Sequence, residues 1–60
     1  MLLIKRLRSQ KGISIRRLAD LTGIPKSSLS DLENNKRIPK GQEIKIIARV
    51  LEVEEADLWQ

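Results

Sequence analysis

Every glycine and proline in this chain falls between positions 12 and 41: Gly12, Gly23, Pro25, Pro39 and Gly41. Glycine permits a left-handed stop and proline cannot continue a helix, so these five residues cut the sequence into short segments. Within the segments apolar residues recur at helical spacing, with little β character. Leu3, Ile4 and Leu7 share one helical face, and Gly12 offers the stop. Ser14 suits an N-cap, which predicts a second helix over Ile15–Thr22 with Leu18 and Ala19 inward and Gly23 ending it. Pro25 suits the first position of a third helix, since its missing amide has no role there. That helix runs to about Asn34, with Leu29 and Leu32 inward, and Asn34-Asn35 closes it because Asn tolerates positive φ. A fourth helix starts near Gly41 or Gln42, with Ile44, Ile47, Ala48 and Leu51 as its apolar stripe. Val53 and Leu58 suggest a last turn or short helix over Glu54–Trp59.

Sixty residues allow one domain, and a chain of this size buries only about 60% of its unfolded surface. It has no cysteine, so no disulfide and no thiolate metal site supplements that core. A small secreted domain usually needs such staples, so their absence points to a reducing compartment. No run approaches the roughly 20 apolar residues of a membrane span. Met1–Ile4 is followed at once by Lys5, Arg6 and Arg8, the wrong order for a signal peptide. The charge is uneven. Residues 1–40 hold ten Lys/Arg against three Asp/Glu, and residues 41–60 hold two against five. A basic front with an acidic tail suits a polyanionic partner, although a solvated surface carries the same charges.

The most informative unit is 15–34, two short helices joined by Thr22-Gly23-Ile24-Pro25. So tight a connection sets the helices at a steep angle, and small Ala19 lets them approach. Outward on the third helix remain Lys26, Ser27, Ser28, Ser30 and Asp31. A plain solvated face has this composition too. Short hydroxyl side chains, however, also let a helix enter a major groove closely and address base edges.

With these residues in place the chain resembles the Cro/repressor-type (XRE-like) helix-turn-helix proteins of phages and bacteria. The likeness covers nearly the whole sequence. It rests on Ile4-Lys5-Arg6-Leu7-Arg8, Gly12-Ile13-Ser14, Leu18-Ala19, Gly23-Ile24, Leu29-Ser30, Leu32-Glu33-Asn34, Lys36-Arg37, Pro39, Ile47-Ala48, Leu51, Val53 and Leu58, in register without insertion. The resemblance implies an all-α, five-helix lambda-repressor-like domain over 1–60 that binds double-stranded DNA as a transcriptional regulator, a repressor foremost, in a bacterial or phage-infected cytoplasm. By position it implies that Lys26, Ser27, Ser30 and Asp31 face bases, Lys26 favouring guanine and Asp31 accepting from cytosine. Phosphates fall to the start of the second helix, through Ser14, Ile15 and Arg16, and to Ser28, Asn34, Lys36, Arg37 and Lys40. Arg8 and Glu33 match an arginine–glutamate pair that fixes the recognition helix in this family.

Departures from the family pattern bear on base contacts rather than on fold. Ile15 replaces the usual glutamine, Pro25 stands where a Ser or Thr cap is common, and Gly41 replaces a larger apolar residue. Asn35 and Glu52 occupy positions where glycine is frequent, and a left-handed Glu52 is strained.

Leu2, Leu3, Leu21, Ile46, Val50 and Trp59 exceed what so small a core requires. Val53, Leu58 and Trp59, beside the acidic tail, are the expected dimer surface, leaving the basic face for DNA. Trp59 closing the core of one subunit is the other reading, and a further protein partner or a C-terminal dimerisation domain beyond this chain stays open. No cofactor or metal is expected. Without His or Cys the usual general base and metal ligands are missing, and no glycine-rich loop matches a phosphate-binding fingerprint, so an enzyme is not expected. The rival reading is an antitoxin-like or adaptor module that keeps this fold and works by masking a protein.

Overall fold

A computed structural model describes residues 1–60, and its elements follow the glycine and proline punctuation. Four α-helices are α1 (Ile4–Gln10), α2 (Ile15–Thr22), α3 (Lys26–Glu33) and α4 (Gly41–Leu51). A single 3₁₀ turn, Glu55–Leu58, closes the chain.

Each boundary has a local cause. Gly12 (φ +69°) and Gly23 (φ +77°) take the left-handed conformation that turns the chain out of α1 and α2. Asn35 (φ 58°) does the same after α3, and Glu52 (φ 58°) after α4, so both non-glycine substitutes adopt the glycine-like conformation. Pro25 corrects the expectation by one residue. Its ψ of 144° keeps it outside the helix, and it acts as the N-cap, its carbonyl accepting from the Leu29 amide at 3.0 Å. The expected fifth helix is only the 3₁₀ turn, because its four residues are too few to propagate α-helical bonding.

Eleven hydrophobic residues form the core, and no polar or charged residue is buried with them. Leu18 and Ile24 come from α2 and the turn after it, Leu29 and Leu32 from α3, and Ile44, Ile47, Ala48 and Leu51 from the stripe of α4. α2 packs on both α3 and α4, so the helix-turn-helix corner rests on a rigid base. Two placements differ from expectation. Leu2, one of the residues apparently surplus to the core, is buried. Leu58, expected on a dimer surface, is fully buried and so is not available to a partner.

The termini explain both. The Leu3 amide donates to the Leu58 carbonyl at 2.7 Å and the Gln60 amide to the Met1 carbonyl at 2.8 Å, with an antiparallel bridge between Leu2 and Trp59. Pairing the two ends turns Leu2 and Leu58 inward and leaves the Trp59 side chain 44% exposed. No helix is long and apolar enough to cross a membrane.

Candidate nucleic-acid interface

The corner is stitched at three points. The Thr22 hydroxyl donates to the Leu18 carbonyl at 2.8 Å and accepts from the Ile24 amide at 3.2 Å. The Gly23 amide returns to the Ala19 carbonyl at 2.9 Å. One side chain thus ends α2 and aims the residue that leads into α3. With Leu29 and Leu32 fully buried on one side, the rotation of α3 about its axis is fixed.

That rotation leaves a polar face. Lys26 and Ser27 are exposed, and Ser28, Ser30 and Asp31 are half-buried. The first amides of α3 have no intrahelical acceptor, and no side chain caps them. Asp31 makes no ion pair within the molecule, whereas Ser30 is bound by a neighbour: the Asn34 side-chain amide donates to its carbonyl at 2.9 Å and to its hydroxyl at 3.4 Å. Asn34 therefore closes α3 as much as it faces outward.

At the start of α2, the Ser14 hydroxyl accepts from the Arg17 amide at 3.0 Å. The amides of Ile15 and Arg16 stay free at the positive end of the helix dipole. Ile15 is half-buried against the core, so its contribution there is its backbone, while the Arg16 side chain is exposed.

Arg8 and Glu33 meet directly. Arg8 Nε donates to Glu33 Oε2 at 2.9 Å and its Nη2 to Oε1 at 3.2 Å, and Nη1 reaches the Ile13 carbonyl at 3.0 Å. The two side chains are 14% and 7% exposed. One guanidinium thus binds α1, the loop before α2 and the end of α3. Its role is structural, because little of it is left to touch a ligand.

The loop Lys36–Lys40 contains a pairing that sequence reasoning missed. Arg37 Nη1 and Nη2 donate to Glu43 Oε1 and Oε2 at 2.9 and 2.7 Å, and the Lys40 amide donates to the same Oε1 at 2.8 Å. Chiefly the guanidinium bonds, then that amide, hold the Glu43 carboxyl well below its ordinary range, at about 2. The same bond raises Arg37 from its ordinary value. The available signal was Glu43 at the third position of α4, where a carboxylate reaches back to the preceding amide. Lys36 and Lys40 remain exposed.

Met1, Ile38 and Trp59 expose apolar surface and line one groove with Leu2 and Pro39, its other lining residues being Asn35, Lys36 and Arg37 at the loop after α3. Val53 is half-buried against the core. Of the residues expected at a dimer contact, Trp59 alone is prominently exposed.

No curated protein is significantly similar to this chain. A family model described as helix-turn-helix matches residues 4–58, from the first residue of α1 to the last of the 3₁₀ turn. The chain therefore belongs to the helix-turn-helix family of DNA-binding domains, of the Cro/repressor (XRE-like) type.

Proposed function

We propose that the chain is a sequence-specific regulator of transcription that lays α3 in the major groove and represses by occupying its site. The observation that carries this reading is the division of α3: Leu29 and Leu32 anchor it, while Lys26, Ser27, Ser30 and Asp31 present donors and acceptors outward. Side chains this short let the helix backbone approach base edges, where Lys26 offers protons to guanine and Asp31 accepts from cytosine. Base reading is also the role in which unpaired Asp31 is useful, since the same carboxylate repels phosphate.

Backbone contacts flank that helix. The free amides of Ile15 and Arg16, with the Arg16 side chain, suit a phosphate on one side. Lys36 and Lys40, with Ser28 and Asn34, suit phosphates on the other. Such contacts fix register and supply most of the salt-dependent affinity, whereas the base contacts supply the choice of sequence. Two copies on one site would place their α3 helices about 34 Å apart, matching a near-palindrome. Trp59 and Met1, apolar and exposed beside the cationic loop, suit the contact between copies.

Selection of bound duplexes from a random pool tests this reading. The expected result is an enriched half-site repeated with two-fold symmetry at about one helical turn between centres. Recovery of a pool with no enriched sequence would overturn base reading by α3.

A further inference from the structure

Arg37 lies in the cationic loop, and by position it is expected to grip phosphate. Its geometry gives a different result. Both terminal nitrogens of its guanidinium are committed to the two oxygens of Glu43, at 2.9 and 2.7 Å. The same carboxylate caps the start of α4 through the Lys40 amide at 2.8 Å. Glu43 is thus fixed to α4 by backbone and cannot follow Arg37 toward a ligand without giving up that cap. The side chains are 30% and 18% exposed, so the pair is neither buried nor freely hydrated. Lys36 and Lys40, on either side, have no ion-pair partner.

We infer that Glu43 is a positioning residue of the DNA-binding loop: it neutralises Arg37 and uses it as a strut, so that Lys36 and Lys40, and not Arg37, supply the charge that meets phosphate. The inference rests on the DNA-binding reading above and sharpens it. A guanidinium locked to a carboxylate releases no counterion when DNA arrives, because its charge is already balanced. Its two bonds instead tie the loop after α3 to the first turn of α4. The loop therefore approaches the sugar–phosphate backbone in a set shape, with two free cations held apart by a neutral brace. The depressed ionisation of Glu43 fits this picture, since the carboxyl stays charged well below neutral pH.

Three proteins test it on one duplex, with affinity followed from 50 to 200 mM salt: the parent chain, E43Q, and R37Q/E43Q. Glutamine at position 43 retains an oxygen for the Lys40 amide, and circular dichroism checks that each protein is folded. The parent is expected to bind with a steep salt dependence. E43Q frees one cation beside the phosphates, so its log–log slope should steepen by about 0.9, which is about 3.5-fold more affinity lost across that salt range. R37Q/E43Q removes a neutral pair, so its slope should return to the parental value. An E43Q slope equal to the parent's overturns the inference. So does an R37Q/E43Q slope shallower than the parent's by about 0.9, because Arg37 would then have been gripping phosphate despite Glu43. Absence of binding by all three at 50 mM salt overturns the DNA-binding reading itself, a result distinct from either.

Discussion

At the scale of single residues, Lys26 and Lys36 separate two kinds of contact. Lys26 stands exposed on the first turn of α3, the position that the proposed docking would bring to base edges. K26A is expected to lose discrimination at one base position, by about 1–3 kcal/mol, with other positions unchanged. Lys36 stands beyond the helix, in the loop. K36A should weaken every duplex alike and lower the salt slope by about 1. Competition titrations with single-base variants at several salt concentrations measure both. A third residue bears on stability alone. Glu52 holds a left-handed backbone at φ 58° and makes no side-chain ion pair. That conformation disfavours a residue with a Cβ by roughly 1 kcal/mol. E52G should therefore raise the thermal midpoint by several degrees, about 4–8 °C per kcal/mol in a domain of this size.

Residues of this kind also mark what the sequence discloses. Asn35 was readable as a turn residue because Asn tolerates positive φ, whereas Glu52 was marked as a glycine substitute only through the family pattern. Arg8 and Glu33 were matched only through family resemblance, since their separation of 25 positions gives no local spacing to read. Arg37 and Glu43 lie six positions apart across a loop and Pro39, so no helical rule joins them, and the loop's charges looked alike. Leu58 was misplaced because a lone leucine near the end of a chain has no stripe to assign its direction. Its burial follows from pairing of the two termini, a non-local contact invisible to periodicity.

At the scale of elements, the orientation of α3 depends on its two attachments. One is apolar, through Leu29 and Leu32, and the other is the Arg8–Glu33 pair at its C-terminal end. E33A would leave the Arg8 guanidinium with little exposure and no carboxylate. Stranding a charge in this way costs about 3 kcal/mol, against a total of roughly 3–9 kcal/mol for sixty residues. R8M/E33L removes both charges together and should recover most of the loss. What remains, about 1 kcal/mol, belongs to the Ile13 carbonyl that loses its donor. Urea denaturation of the three proteins measures this. An E33A protein as stable as its parent would mean that the pair does not hold α3. The helices themselves were the most legible part of the molecule, because Gly12, Ser14, Gly23 and Gly41 coincide with caps or ends. Pro25 was displaced by one position because proline fits both the first helical residue and the residue before it, and only its ψ distinguishes them.

At the scale of the whole molecule, charge and stability are distributed differently. Ten of the twelve Lys and Arg residues lie in residues 1–40, which carry α1, α2, α3 and the following loop, while the tail is acidic. Acid tests the Glu43 carboxylate. Glu43 is held at about 2 in the folded protein, below its ordinary 4.5. A lowered folded value means that the unfolded chain takes up the proton first. Its contribution to stability is therefore complete above about pH 4.5 and disappears as the pH falls toward 2. The stability difference between parent and E43Q should be constant at neutral pH and shrink over that acid window. A difference independent of pH between 2 and 6 would refute the Arg37–Glu43 bond.

The central claim is that the outward face of α3, flanked by the start of α2 and by Lys36, is the surface that meets DNA. Amide chemical shifts recorded by NMR during titration with a duplex carrying the selected site test it most directly. The largest changes are expected at Ile15–Arg17, from Lys26 through Asn34, and at Lys36, with Leu18 and Ile47 in the core little affected. Changes confined to Met1, Ile38 and Trp59, or to the outer side of α4, would contradict the claim and leave α3 an ordinary solvated helix.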